Sequence, residues 1–297
     1  MLSLLRHAAR ALLCAATLLS PIAAAQDAQR NFLWEVISLK NRVYLFGTVH
    51  AGKKGWYPLP APVEEAFLDS KVLVVEADIT DVDAIAKSGP ILTYTPPDSL
   101  AKHVEPEHYD RFRKLLGRYQ VPEEQAARMK PFMAVSLLVF AEWGRLGYLP
   151  QYGVDAYLIA KARAENKRIL EIEGLQVQTQ LIESLGEKES KVLFEGTLTA
   201  LESGLTSEQI TGMVNAWQSG DPKLLLEIAR KYNESVPGAR EFEEKFIWSR
   251  HDAMVEKIEG YLQTGARHFV AVGALHLAGP RGLVELLRKK GYIVRQR

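Results

Sequence analysis

Apolar and polar positions sort this chain into strand-like runs near its two ends and helix-like runs between them. Phe32 to Ser38 and Arg42 to Phe46 are apolar, β-prone runs. Lys40-Asn41 between them suits a tight turn, so the pattern predicts a hairpin. Pro62 fits the first turn of a helix running to about Ser70, where its missing N–H costs nothing. Val72-Leu73-Val74-Val75 is unbroken apolar sequence, which predicts a strand buried on both faces under helices. Strand, helix, strand reads as a crossover unit. Helical spacing follows over His108 to Leu116, Glu123 to Met129, Phe132 to Leu146 and Val154 to Glu165. The run Phe132 to Phe140 is apolar enough to expect a buried core helix. Arg168 to Ile172 returns to strand. Leu175 to Gly265 is helical again, with breaks near Gly186, Gly204, Ser219-Gly220 and Pro237-Gly238. His268 to Val272 predicts a strand, Gly282 to Lys290 a helix and Tyr292 to Arg295 a last strand.

The expected fold is therefore α/β. A mixed, mainly parallel sheet is built from both ends of the chain, with a helical subdomain inserted over about 100–165 and 175–265.

The first residues depart from this pattern. Arg6, His7 and Arg10 precede an apolar stretch from Ala11 to Ile22, and Ala23-Ala24-Ala25 follows. Basic, apolar and small in that order is the pattern of a secretory signal peptide over residues 1–25. The apolar stretch is shorter than the roughly 20 residues that span a bilayer. The expected mature chain starts at Gln26 and is periplasmic or secreted, with no stable membrane span. Cys14, the one cysteine, falls inside the signal. A mature chain without thiols forms no disulfide, cysteine nucleophile or thiolate metal site. Without Arg6 and Arg10 the charge balance is 35 basic against 36 acidic residues. That balance offers no general attraction to nucleic acid, which is not an expected partner.

Two strand ends then stand out. Gly47-Thr48-Val49-His50 closes one predicted strand and Gly273-Ala274-Leu275-His276 closes another. Each is an apolar run, a glycine, two residues and a histidine. Glycine lets the chain leave a strand at angles closed to other residues. The histidine is then presented beyond the carboxyl end of the strand, where open α/β sheets bind ligands. Glu76 closes the run Val72 to Val75. If the strands are parallel neighbours, His50, Glu76 and His276 converge. Two imidazoles and a carboxylate are a common ligand set for a divalent metal. Glu76 could instead be the general base beside a metal held by other groups.

Other residues are weaker candidates. Arg250 precedes the second of these strands and could bind an oxyanion or a carboxylate, or could pair with Asp252 or Glu256 at the surface. Asp155 reads as a helix-start residue. Glu171, Glu173 and Gln178 flank the strand Arg168 to Ile172. His103 and His108 lie in polar sequence, His251 on a predicted helix, and His268 at what should be an exposed strand lip. No G-x-S-x-G, H-E-x-x-H or G-x-x-x-x-G-K-[ST] pattern occurs, which argues against a serine hydrolase, a zincin or a P-loop enzyme.

These motifs together resemble the TraB/GumN family, related to the Tiki metalloproteases. The resemblance is carried by Leu45-Phe46-Gly47-Thr48-Val49-His50, Val74-Val75-Glu76-Ala77-Asp78, Gly153-Val154-Asp155, Glu171-Ile172-Glu173-Gly174 with Gln178, and Val272-Gly273-Ala274-Leu275-His276-Leu277-Ala278-Gly279. It spans about Phe32 to Tyr292. It implies a fold like that of erythromycin-esterase and ChaN-like proteins, and a metal-dependent site using both histidines and Glu76. Of the family's acidic-Arg-Asn triplet, only the arginine is kept, in Ser249-Arg250-His251. The resulting expectation is an exported metal-dependent hydrolase acting on a peptide or protein. His50, His276 and Glu76 would hold a metal of the manganese, cobalt or zinc type, with Glu76 and Arg250 as catalytic groups. The alternatives left open are a non-catalytic periplasmic protein binding haem, iron or peptide, and a regulatory protein of the envelope or its polysaccharides.

Overall fold

The computed structural model describes residues 30–297. The expected signal peptide over 1–25, with Cys14, lies outside the described residues. Six strands form one sheet: β1 (Leu33–Ile37), β2 (Arg42–Thr48), β3 (Val72–Val75), β4 (Arg168–Glu171), β5 (His268–Gly273) and β6 (Ile293–Gln296). Their spatial order is β4-β3-β5-β2-β1-β6.

β1 and β2 form the anticipated antiparallel hairpin, with Leu33 opposite Phe46 and Ile37 opposite Arg42. The Ser38 hydroxyl oxygen accepts from the Asn41 N–H at 3.0 Å and from the Lys40 N–H at 3.2 Å, which closes the turn. β6 covers the other side of β1, antiparallel to it. β2, β5, β3 and β4 run parallel. The sheet is thus mixed and mainly parallel, as the sequence pattern predicts. One pairing was not legible in that pattern. β5, near the end of the chain, inserts between β2 and β3, so the crossover from β2 to β3 skips one position.

All four residues of β3 are buried, at 7 % exposure or less. At roughly 1.5–3 kcal/mol for each fully buried aliphatic side chain, such a strand belongs in the middle of a covered sheet. Its cover includes the helices Ala61–Asp69, Val154–Ala164, His251–Gln263 and Leu283–Lys289, whose apolar faces join the strands in one core. A separate core holds Phe112, Leu116, Leu138, Phe194 and Leu198 from the helices Pro106–Tyr119, Pro131–Arg145 and Glu187–Ser203.

Two expectations are corrected. His268 is 4 % exposed rather than at an open lip. Its Nδ1–H donates to the Ala266 carbonyl at 2.9 Å and its ring stacks on Tyr261, which satisfies both its polar and its apolar parts. The helix Pro131–Arg145 is not buried all round. Phe132 is half-buried and Phe140 is 42 % exposed, because one face of this helix borders a cavity instead of a core. Among the described residues, no helix is long and apolar enough to cross a membrane.

Candidate functional site

The carboxyl ends of β2, β5 and β3 are adjacent, so His50, His276 and Glu76 meet at one edge of the sheet. All three, together with Arg250 and Gln178, line one cavity of about 390 Å³. That size falls within the usual range for small-molecule sites.

The glycines of the two matching ends serve space rather than angle. Gly273 has φ −51° and ψ 136°, which any residue can adopt. A Cβ there would lie 3.3 Å from Glu76 Oε1, and one on Gly47 would lie 2.4 Å from the Phe32 ring. Bare backbone lets the Gly273 N–H reach the carboxylate, donating to Glu76 Oε1 at 2.6 Å.

His50 follows β2. Its Nδ1 lies 2.9 Å from Asp155 Oδ2, and the Thr48 hydroxyl donates to Asp155 Oδ1 at 2.7 Å. Asp155 is buried in the first turn of the helix Val154–Ala164, where the helix dipole favours its charge. That helix is fastened to the β2 end by the Val154 N–H donating to the Val49 carbonyl at 2.9 Å. The charge of Asp155 raises the pKa of His50 above its ordinary value, against the cost of desolvation. The His50 side chain is nevertheless 64 % exposed, and solvent there screens part of that attraction. For Asp155, burial pushes the pKa up. The His50 charge and the two hydrogen bonds outweigh this, and the pKa falls.

His276 is the opposite case. It is 2 % exposed. His251 Nδ1–H donates to the Arg281 carbonyl at 2.7 Å, which leaves His251 Nε2 to accept from His276 Nδ1–H at 2.8 Å. His276 Nε2 then carries a lone pair and accepts from the Arg250 guanidinium at 2.7 Å. The chain of donors fixes the tautomer of both rings, because the Arg281 carbonyl can only accept. Burial, with Arg250 and His251 beside it, lowers the His276 pKa to about 3 despite the pull of Glu76. Burial lowers that of His251 as well.

Glu76 stands between them, with Oε1 3.7 Å from His276 Nε2. Gln178 donates to its Oε2 at 3.2 Å and Arg250 at 3.5 Å. Burial pushes its pKa up, but the surrounding charges and the Gly273 N–H bring it below the ordinary value. Since His276 is neutral, we assign that lowering chiefly to Arg250, His50 and the Gly273 N–H. Arg250 also pairs with Glu173, which the loop after β4 brings beside Glu76 through Glu173 and Gly174 N–H donation to the Glu76 carbonyl. Desolvation raises the Glu173 pKa to about 7, against Arg250 and with the help of Glu76. Arg250 Nε is buried and has no partner among the described residues.

Of the residues singled out in the sequence, His50, Glu76, His276, Arg250, Gln178 and Glu173 are brought together. Arg250 pairs inward rather than with Asp252 or Glu256. Glu171 turns instead to the Asp78 N–H, at 2.6 Å. His103 pairs with Asp98 elsewhere. Asp155 and His251 matter more than their local sequence indicated. Each holds the far nitrogen of one cavity histidine.

A divalent cation suits this donor set in its chemistry. Each imidazole has Nδ1 held by a buried partner, as in histidines that bind metals, although on His50, whose charged form Asp155 favours, a cation has to displace the Nε2 proton. Among the described residues, no group of three or more His, Cys, Asp or Glu side chains is already gathered to hold an ion. Arg250 occupies the His276 lone pair, and a cation there competes with it.

An α/β fold with histidines and a carboxylate at the carboxyl edge of a mainly parallel sheet defines the class. The sequence profile of the TraB/PrgY/gumN family matches residues 32–296, and the chain belongs to that family. It is similar to YbaP of Escherichia coli (strain K12), at 21% identity over 263 residues, covering 87% of this chain and 94% of that protein. It is also similar to metalloprotease TIKI1 of Danio rerio, at 21% identity, covering 91% of this chain and 63% of that protein. No solved structure matches.

Proposed function

We propose that the protein is an exported hydrolase that binds a divalent cation through His50, His276 and Glu76 and cleaves an amide or ester bond. The observation that carries this reading is the matched support of the two histidines. Asp155 and His251 each engage an Nδ1 and leave an Nε2 at the same cavity. The likeness to a protein named metalloprotease TIKI1 supports hydrolysis of a peptide bond.

A bound divalent cation would supply Lewis acidity, making water a better nucleophile and polarising a carbonyl. The chain's own residues prepare the rest. Asp155 and Thr48 hold the His50 ring in orientation. His251 holds His276 neutral, in the form that can donate a lone pair. Glu76 keeps negative charge on the cavity floor and can take a proton at Oε2. Arg250, which lines the cavity, would neutralise charge that develops on a carbonyl oxygen.

The test is the metal content and hydrolytic activity of the chain purified from Gln26 onward. The expected result is a bound divalent ion, lost together with activity in the His50→Ala/His276→Ala double variant. A double variant that retains a full complement of metal would sink the reading.

A further inference from the structure

The walls of the cavity are unlike its floor. Above the polar sheet edge stand Phe132, Phe140, Trp143, Phe242 and Phe246, from the helices Pro131–Arg145 and Ala239–Phe246. Phe242 stacks on Phe246 with centroids 4.2 Å apart, and Phe132 stacks on both, at 5.3 and 5.6 Å. None of these three rings belongs to a hydrophobic core of the fold, and each is only half-buried. Phe132, Phe140 and Phe242 also wall a second cavity of about 220 Å³. The two cavities therefore share these three rings, and neither His50 nor Glu76 lines the second.

The second cavity is almost wholly apolar. Eight of its eleven lining residues are apolar, among them Val135, Val139, Leu193 and Val236. Its three hydroxyls are that of Ser136, already donated to the Phe132 carbonyl at 2.8 Å, and those of Thr197 and Tyr232. Its walls are helices, whose backbone groups are bonded internally and offer no strand edge to an extended peptide. Two hydroxyls cannot pair the N–H and C=O groups of a peptide main chain lying here, and most would be left unpaired, each at the cost of a lost hydrogen bond. An alkyl chain has no such groups and gains from every methylene it buries.

We propose that this apolar extension takes the aliphatic chain of an acyl ester or acyl amide, with the acyl carbonyl at His50, Glu76 and Arg250. This rests on the hydrolase reading and narrows its substrate to acyl compounds. Hydrolysis adds the hydroxyl of water to the acyl carbon and leaves a carboxylic acid, which then loses its proton to solvent. The bond to the alcohol oxygen or amine nitrogen breaks, and that atom takes up the remaining proton.

The direct test is binding without turnover. Hexanoate, octanoate, decanoate and dodecanoate are titrated calorimetrically into the full mature chain. Affinity should rise by up to about fourfold per methylene, the gain expected for burying each CH₂. Val139→Trp, at a half-buried position of the second cavity, should end that rise at a shorter chain. Phe140→Glu, on the exposed rim, should weaken every member, and circular dichroism checks that both variants are folded. Affinity independent of chain length, or a length dependence that folded Val139→Trp leaves unaltered, overturns the proposal. So does an unacylated apolar peptide that binds more tightly than dodecanoate. Matched dodecanoyl ester and dodecanoyl amide substrates then distinguish the two sources of the chain. Chain-length-dependent binding with no turnover of either would refute the hydrolase reading while supporting the alkyl site. Turnover of acetyl substrates alone, with flat binding, would do the reverse.

Discussion

The ends of β2 and β5 carry the same short motif and give it opposite electrostatic settings. His50 is open to solvent and backed by a carboxylate, so its charged form is favoured. His276 is sealed in and backed by a second neutral imidazole under an arginine, so its charged form is suppressed. The difference is not written in the motif. It comes from the element packed behind each histidine, the helix Val154–Ala164 in one case and the helix His251–Gln263 in the other. A repeated local sequence therefore places two like side chains, and their surroundings make one the readily protonated partner and the other a fixed lone pair.

Removing Arg250 should disturb the β5 side most. Its guanidinium lies between Glu76 and Glu173, at about one-tenth exposure. Arg250→Met leaves two carboxylates facing each other in a buried place. The expected loss of unfolding free energy is about 3–5 kcal/mol at pH 8, measured by denaturant titration. The loss should shrink toward pH 5 because Glu173, already raised to about 7, takes up a proton and relieves the repulsion. The sign follows from linkage. A carboxyl whose folded pKa lies above its unfolded one contributes stability below the unfolded value, about 4.3, and that stability fades as pH rises toward the folded value. A cost that is equal at both pH values would break this assignment.

His251→Phe comes next. The ring volume stays similar, but the His276 Nδ1–H loses its acceptor and the Arg281 carbonyl its donor. The expected cost is about 1–3 kcal/mol for the orphaned buried groups. Because the His276 tautomer is then free to change, metal affinity should also fall by about 10–100-fold. Calorimetric metal titration reads the second effect separately. Weakened stability with unchanged metal affinity would reduce His251 to a packing residue.

Much of this arrangement was legible in sequence. The run Val72 to Val75 could be read as a central strand because four adjacent apolar residues have no exposed face to occupy. The two G-x-x-H ends and Glu76 could be read as sheet-edge residues from where their strands stop. The supporting residues could not. Asp155 meets His50 across 105 positions, and Asp155 at a helix start has an adequate local explanation. His251 is next to Arg250 in sequence, yet its role depends on β5 returning between β2 and β3, a long-range pairing that no local pattern encodes. The cavity wall was hidden for a similar reason. Phe132 to Phe140 has the composition of a core helix, and only its neighbours show that part of its apolar face lines an open space.

On the β2 side the effects appear first in titration. Asp155→Asn removes the carboxylate that raises the His50 pKa, so that pKa should drop back toward about 6.5. The resonance of the His50 ring, followed by NMR against pH, measures it directly. Stability should respond with a definite sign. A histidine whose folded pKa is raised contributes stability below the unfolded value, which is lost as pH rises through the folded one. The variant should lack that loss. A His50 titration unchanged by Asp155→Asn would mean that solvent screening at the exposed ring outweighs the pair, and the contrast between the two strand ends would collapse.

Thr48→Val should move the His50 titration least and is the most selective change. Thr48 is 2 % exposed, and its hydroxyl donates to Asp155 at 2.7 Å. Valine keeps the volume and the β-branch that suit the end of a strand. What is lost is one hydrogen bond to a charged group and one partner of a buried carboxylate, about 1.5–3 kcal/mol at the upper end and less if water reaches Asp155. With one donor fewer, the Asp155 carboxylate depends more on His50, so the His50 pKa should move up slightly rather than down. Asp155→Asn and Thr48→Val thus shift the same titration in opposite directions. If both lowered it, Thr48 would be orienting His50 by some route other than Asp155, and the chain Thr48–Asp155–His50 would not be the unit that sets this strand end apart.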